Sequence, residues 1–127
     1  MFNPTEAITT DLVRLALDAA SMRHLAISHN IANVNSPGYA PVRVDFERQL
    51  DAARSALQQG QPLAADMLAG VRPVTVRTAP PEGADRTAML DMEVAAMAQN
   101  TVHYESLLKA LGKQMSILAS AISEGKR

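Results

Sequence analysis

The stretch Ser28–Phe46 reads SHNIANVNSPGYAPVRVDF, and it decides the organisation of the chain because it ends one long periodic segment and begins an irregular one. Within it, Ser36-Pro37-Gly38-Tyr39 fits a type II turn, with proline second and glycine third, where φ is positive. A residue before proline is also disfavoured in helix. The stretch therefore predicts a helix end, a fixed turn and an extended arm that starts at Tyr39.

Three asparagines approach this turn. Asn30 and Asn33 lie three residues apart, so they share one face of a helix, and Asn35 lies at the helix exit. The last turn of a helix leaves carbonyl groups without partners, and asparagine side chains bond nearby backbone. We expect these asparagines to saturate backbone groups where helix meets turn.

A helix is predicted before the turn, from about Thr5 to Asn35. Apolar residues recur there at alternating steps of four and three, which is typical of a helix that packs along a seam. Pro4 suits the helix start. The residues expected to form an assembly seam on this helix are Leu12, Leu15, Ala19 and Met22.

A second long helix is predicted from Thr87 to about Glu124, with Asp85 or Thr87 as its N-cap and Gly125 just past its end. The same four-three alternation runs unbroken from Leu90 to Ile122. The residues assigned to the assembly seam on this helix are Met97, Tyr104, Leu108, Leu111, Met115, Leu118 and Ile122.

The segment between the helices is less regular. Asp45–Gln59 is expected to be a short amphipathic helix. Val71–Thr78 is expected to be a short extended stretch or an edge hairpin, which Pro73 would keep at an edge. We therefore predict one mainly α domain in three parts: a seam helix at 1–35, a turn, arm and irregular insert at 36–86, and a seam helix at 87–127. The two helices form an antiparallel coiled-coil-like pair. A closed bundle, a homodimer and an open array of like subunits all fit this pattern.

Composition excludes several classes of function. The net charge is −1 and no Lys/Arg cluster occurs, so nucleic acid is not an expected partner. The chain has no cysteine, which excludes thiolate metal sites and cysteine nucleophiles. The N-terminus lacks the pattern of a cleaved signal peptide, and no apolar run approaches the roughly 20 residues of a membrane span.

Catalytic and metal-binding patterns are equally weak. His24 and His29 are five residues apart, about 140° around a helix, and His103 is distant in sequence. Asp91 and Glu93 point to different helix faces, and no glycine-rich phosphate loop occurs. We predict no catalytic, cofactor-binding or metal-binding residue and no enzyme. A hydrolase acting through Ser28 and His29 is kept as a minor alternative.

The run NIANVNSPGYA resembles the signature of bacterial flagellar axial proteins. The short insert, the RVDFERQL segment and the last helix, including Glu93 and Asn100, resemble the small rod proteins of the basal body, above all the proximal rod type. The middle rod type is the nearest rival, and residues 51–86 match only in length and texture. The signature positions are Asn30, Ile31, Ala32, Asn33, Ser36, Pro37, Gly38 and Tyr39. Ala40 and Pro41 depart from the family pattern, in which Lys or Arg follows the tyrosine, and Arg43 is the candidate substitute.

The resemblance implies a structural, non-enzymatic protein of the flagellar basal body without a cofactor. Such proteins assemble helically in the periplasmic rod, link the membrane ring and export apparatus to the rest of the rod, and transmit torque. Implied partners are other rod subunits, further copies of the chain, adaptor and membrane-ring proteins, and the type III export apparatus, which exports the subunit unfolded without a cleaved signal. Phe46 and Leu50 match the short export-gate motif of such subunits, although two apolar residues four apart also fit core packing. A helical-hairpin export chaperone or adaptor remains the alternative from another class.

Overall fold

A computed structural model describes residues 4–80, 82–83 and 85–126. Most of these residues are helical, and the extended and irregular parts lie between two long helices, as the sequence predicts. In chain order the elements are helix α1 (Pro4–Ala32), strand β1 (Val42–Asp45), a 3-10 turn (Glu47–Leu50), helix α2 (Asp51–Gln58), a second 3-10 turn (Ala65–Leu68), strand β2 (Val74–Arg77) and helix α3 (Arg86–Gly125).

The two long helices pack against each other in antiparallel orientation. Asn30, near the end of α1, bonds Glu93 near the start of α3, while Asn100 further along α3 bonds the main chain of Ala20. Contacts that move down one helix as they move up the other define an antiparallel pair. The predicted fold class is therefore confirmed.

Helix α1 is covered on more than one side. Ala19 and Ala20 are both 0% exposed, although neighbouring residues point about 100° apart around a helix. One side packs against α3, and another packs against β1. The remaining buried apolar residues extend this core along α1 and into the insert: Ile8, Ala26, Ile27, Phe46, Ala53 and Ala56.

The insert forms a small arm sheet, which consists of β1 and β2. The two strands pair antiparallel, with Val42 opposite Arg77 and Asp45 opposite Val74. The extended stretch predicted at Val71–Thr78 is thus present, and its partner is the arm that follows the turn. The Gln49 side chain extends this pairing, because its amide donates to Arg72 O at 2.8 Å and accepts from Arg72 N at 3.2 Å.

Element boundaries differ from the sequence-based expectations. The helix predicted at Asp45–Gln59 begins only at Asp51, because Asp45 pairs with Val74 in the arm sheet and Glu47–Leu50 form a 3-10 turn. Helix α1 ends at Ala32, three residues before Asn35, because the last helical bond runs from Asn33 N to His29 O and turns follow at once. Gly125 lies inside α3 and has no positive φ, so the helix does not end on a left-handed glycine. The predicted N-cap is correct, since Asp85 accepts a bond from Ala88 N at 2.7 Å.

Two glycines should respond in opposite ways to the same substitution. Gly38 has φ +70°, as the predicted turn requires, so Gly38→Ala should destabilise the chain by about 1–2 kcal/mol. Gly112 lies within α3, and a Cβ added there would meet no atom within 4 Å, so Gly112→Ala should stabilise by about 1 kcal/mol through helix propensity. Urea unfolding followed by circular dichroism measures both changes. Shifts of the same sign would contradict these backbone assignments.

Candidate assembly joint

The amide of Asn30 is the centre of the segment Asn30–Tyr39, which we call the joint. Its oxygen accepts from Val42 N at 2.8 Å and from the Tyr39 hydroxyl at 2.9 Å. Its nitrogen donates to Val42 O at 3.0 Å and to Glu93 at 3.2 Å. An asparagine amide can make four such bonds, so its hydrogen-bonding capacity is fully used. Asn30 is only 3% exposed.

The pairing of Asn30 with Val42 resembles the pairing between two strands. Both the N–H and the C=O of Val42 are bonded by one amide, on the edge of β1 that faces α1. Arg23, two turns earlier on α1, donates to Val44 O on the same edge. A helix has no free main-chain groups in its middle, so its side chains must satisfy the neighbouring strand edge.

Glu93 joins α3 to the joint. It is 6% exposed, and its two oxygens have different partners. One oxygen accepts from Asn30, while the other lies 2.7 Å from the guanidinium of Arg43 on β1. Arg43, the candidate substitute for the missing basic residue after Tyr39, therefore pairs with a buried carboxylate. The Arg43 side chain is 40% exposed, so the pair reaches from the interior to the surface.

The turn itself is held from both sides. Tyr39 N donates to Ser36 O at 3.3 Å, which closes the four-residue turn, and Gly38 supplies the positive φ. The guanidinium of Arg77 lies 5.7 Å from the centroid of the Tyr39 ring, and it donates to Ala40 O at 3.0 Å. A second arginine, from β2, thus contacts the segment after the tyrosine.

The other two asparagines of the joint lie at the helix end and in the turn. Asn33 donates from its side chain to His29 O at 2.9 Å and accepts weakly from Ser36. It therefore saturates a helix carbonyl, as the sequence predicts. Asn35 is exposed in the turn. Asn30 does not act on its own helix end, because all its partners lie on the arm, Tyr39 and α3.

Asn100 makes a second buried polar contact between the helices. Its side chain is 8% exposed and donates to Ala20 O at 2.8 Å. Contact with a main-chain carbonyl requires close approach of the helices, and the alanines at 19 and 20 permit it. Glu93 and Asn100 are seven residues apart, two helical turns, so they mark the face of α3 that packs against α1.

The predicted seam coincides with this packing face only in part. Ala19 is fully buried, and Leu12, Leu15, Met22, Met97, Leu111 and Leu118 are half-buried. Leu108 is 45% exposed and Ile122 is 53% exposed. Tyr104 and Met115 are also exposed, at 37% and 39%. The buried or half-buried residues of α3 also include Glu93, Ala96, Asn100, Leu107 and Gln114, so the packing face takes in one edge of the predicted stripe and leaves the other edge uncovered.

One set of seam positions therefore remains uncovered within the subunit. Val94, Thr101, Leu108, Met115 and Ile122 lie seven residues apart and are all exposed in the described chain. We call this set the outer stripe. A groove between α1 and α3, of about 440 Å³, lies along it and is lined by His24, Thr101, Tyr104 and Leu108, among others. A strict seven-residue apolar repeat is typical of a helix that packs against a further helix.

The two residues of the possible export motif lie in the insert. Phe46 is 3% exposed and precedes the 3-10 turn Glu47–Leu50, so it is not on a helix with Leu50 as the spacing suggested. Leu50 is half-buried. In the folded chain Phe46 is a core residue, and recognition of the motif stays a prediction for the unfolded chain.

The residues considered for chemistry do not converge. Ser28 donates its hydroxyl to His24 O at 2.8 Å, and His29 is exposed. No group of three metal-ligating side chains occurs among the described residues. The same residues include no helix long and apolar enough to span a membrane.

Comparison with known proteins gives three relatives of one kind. The chain is 26% identical over 126 residues to the flagellar basal body rod protein FlgB of Yersinia enterocolitica, which covers 87% of this chain and 90% of that protein. With the protein of the same name from Bacillus subtilis, identity is 24% over 116 residues, and with that from Yersinia ruckeri it is 26% over 126 residues, at the same coverage. All three relatives are FlgB-type rod proteins, so the comparisons support a relationship of this chain to that family. No protein-family model matches the chain. The resemblance first noted in the segment Asn30–Tyr39 thus extends over 87% of this chain.

Sequence reasoning missed the roles of Glu93, Arg43 and Asn100 in packing. The sequence analysis considered the Glu93 carboxylate only as a weak catalytic candidate, since a carboxylate near a helix start is usually solvated and favours the helix dipole. A signal was present, because Glu93 and Asn100 lie two helical turns apart on one face of a segment rich in alanine and methionine. Polar residues on a small-residue face are typical of buried hydrogen-bonded contacts between helices.

The central role of Asn30 predicts a large effect of its removal. Asn30→Ala deletes four hydrogen bonds and leaves Val42 and Glu93 partly unpaired, so the free energy of unfolding should fall by about 2–4 kcal/mol. Asn33→Ala, the matched control one turn away, loses bonds to its own helix end and turn and should cost no more than about 1 kcal/mol. Equal costs in chemical denaturation would show that Asn30 is not the centre of the joint.

Glu47 gives a second, pH-dependent prediction. Burial acts to raise its pKa, but the hydrogen bonds from Arg23 and its own backbone, with the charges of Arg23 and His103, outweigh burial and lower the pKa below its ordinary value. The folded state therefore gains stability from Glu47 above the unfolded pKa of about 4.3, and loses it as pH falls through the lowered folded pKa. Because the Glu47 side chain is 52% exposed, solvent screening keeps the gain small.

Glu47→Gln should reduce the loss of folding stability that occurs as the pH falls below about 5, and Arg23→Met should have the same effect. The double variant should add nothing further, since both changes remove one ion pair. Thermal unfolding between about pH 3 and pH 7 measures this. An unchanged loss of stability at acid pH in both single variants would refute the assignment.

Proposed function

We propose that this chain is a structural subunit of the proximal rod in a bacterial flagellar basal body. Its similarity to FlgB-type rod proteins over most of its length supports this function and does not favour the alternatives. The described residues hold no convergent set of nucleophile, base and oxyanion donors. The subunit acts by its shape and surfaces, and not by catalysis.

The outer stripe is the observation that carries the assembly part of the proposal. Five positions spaced by seven residues run along α3, and α1 leaves all of them exposed. Val94 and Ile122 are each 53% exposed and Leu108 is 45% exposed, which is unusual for so regular an apolar repeat in an isolated subunit. Helices of neighbouring subunits would cover this stripe. If each contact joins unlike surfaces without closing, the subunits form a helical rod.

The proposed partners follow from this position in the basal body. They are further copies of the chain and other rod subunits on the outer stripe, adaptor and membrane-ring proteins at the base, and the type III export apparatus before assembly. The chain would leave the cytoplasm unfolded, when Phe46 and Leu50 are accessible, and fold in the periplasm. In the rod, the paired helices would transmit torque along their length.

Two other functions remain as outcomes of the test. A helical-hairpin chaperone would bury its apolar surface in a closed dimer and would not polymerise. A middle rod subunit would assemble in the same way but would replace a different member of the rod. Neither has a specific observation in its favour.

A charge placed on the outer stripe should stop assembly without unfolding the subunit. Leu108→Glu and Met115→Glu each put a carboxylate where a neighbouring helix would pack, so motility of a strain that depends on this chain should be lost. Ser120→Glu adds the same charge to an exposed position on another face of α3 and is the matched control. Swimming assays and size measurements over a concentration series give the readout.

Folding of each variant is checked by circular dichroism, because the exposed positions should tolerate the change. Full motility with Leu108→Glu and Met115→Glu would exclude the outer stripe as an assembly surface. A fixed dimer at all concentrations, with motility independent of the chain, would favour the chaperone instead.

A further inference from the structure

The hydrogen bonds of the joint fall into two sets, which differ in how far apart the bonded residues lie along the chain. Asn30 reaches Tyr39 and Val42, nine and twelve residues away, and these bonds involve only α1, the turn and β1. Its bond to Glu93 spans 63 residues and requires α3. The first set can form without α3, whereas the second forms only when α3 is docked.

α3 and the arm sheet face each other across a groove. The groove has a volume of about 410 Å³, and helix α1 also borders it. Its lining includes Val42 and Val44 of β1, Met92, Ala96 and Gln99 of α3, and Arg23 of α1. An open groove of this size is not a tightly packed apolar contact. The Glu93 carboxylate bridges it, since one oxygen bonds Asn30 and the other lies 2.7 Å from Arg43 of β1.

The two contacts of Glu93 form together only when α1, β1 and α3 are in one arrangement. Glu93 is 6% exposed, and a buried carboxylate without partners is costly. Its two partners come from different elements, Asn30 from α1 and Arg43 from β1. A shift of α3 along α1, or a rotation of the arm sheet away from α3, would leave at least one of them unpaired. Buried polar contacts of this kind set register more than they add stability.

We infer that Asn30, Arg43 and Glu93 form a clasp that couples docking of α3 to the placement of the arm sheet. With α3 docked, the clasp holds the sheet at one angle to the helix pair. Without the Glu93 carboxylate, Asn30 and Arg23 still hold the edge of β1 against α1, but the sheet can turn about that edge. Glu93 is thus a positioning residue for the arm.

The clasp deepens the proposed function and rests on it for its biological use. A rod subunit has to present its arm and its outer stripe in one fixed relation if copies are to repeat along a helix. The clasp provides that relation only after both long helices have paired. A subunit in which α3 is not docked would therefore present a misplaced arm.

Distance measurement by pulsed electron paramagnetic resonance tests the clasp, because the chain has no native cysteine to interfere with spin labelling. Labels at Thr75→Cys on β2 and Ala95→Cys on α3, both exposed, report the arm relative to α3. Labels at Leu25→Cys and Val102→Cys, which are 62% and 65% exposed as native residues, report the helix pair and are the control.

The parent chain should give one narrow distance peak for each pair. Glu93→Gln and Arg43→Ala should each lose the narrow peak of the arm pair and keep that of the helix pair. Arg43→Lys, which keeps the cation, should retain both peaks. If Glu93→Gln fails to fold, the Arg43→Ala variant tests the clasp by itself. The Arg43 side chain is partly exposed, so its truncation should leave the fold intact.

A narrow arm peak that survives Arg43→Ala would overturn the inference, and so would equal broadening of both pairs, which would show general loosening. Failure of the clasp is separable from failure of the proposed function. Loss of the arm peak needs no assembly, and the motility assay on the outer stripe does not involve the clasp residues.

Discussion

The fold depends on how the edge of β1 that faces α1 satisfies its main-chain groups. That edge lies against a helix whose own N–H and C=O groups are already bonded, and a shielded strand edge without partners is unfavourable. The Asn30 amide resolves the conflict by offering Val42 one acceptor and one donor, as a neighbouring strand would. Arg23 adds a donor to Val44 O on the same edge, so two side chains of α1 hold the arm against the helix.

The same constraint explains why the turn has its particular form. The chain must leave α1 at Ala32 and return within ten residues so that Val42 reaches Asn30. A turn with positive φ at Gly38 reverses the chain in that space, and Tyr39 then adds its hydroxyl to the Asn30 oxygen. Pro-Gly supplies the reversal, whereas Asn30 and Tyr39 determine where the returning chain is held.

The sequence predicts those features that depend on local patterns. The two long helices, the Asp85 cap, the type II turn and the extended stretch near Val74 all follow from periodicity or turn chemistry. Glu93 and Arg43 could not be found in this way, because their partners are distant along the chain and a charged residue is ordinarily assigned to the surface. The seam prediction left one point open for a related reason. Periodicity shows that a face is apolar, but it does not show which of two adjacent faces packs within the subunit.

That ambiguity has a physical meaning in this chain. The face of α3 against α1 carries Glu93 and Asn100, both buried and bonded, while the stricter apolar repeat remains exposed. Buried polar contacts fix one register between the helices, and they are suited to a contact that must form in only one way. The outer stripe, apolar at four of its five positions, is less selective in register, so it suits the contact with further helices proposed for it. On the proposed function, this division of α3 into an inner face with two buried polar contacts and an exposed outer stripe would separate folding of the chain from its assembly.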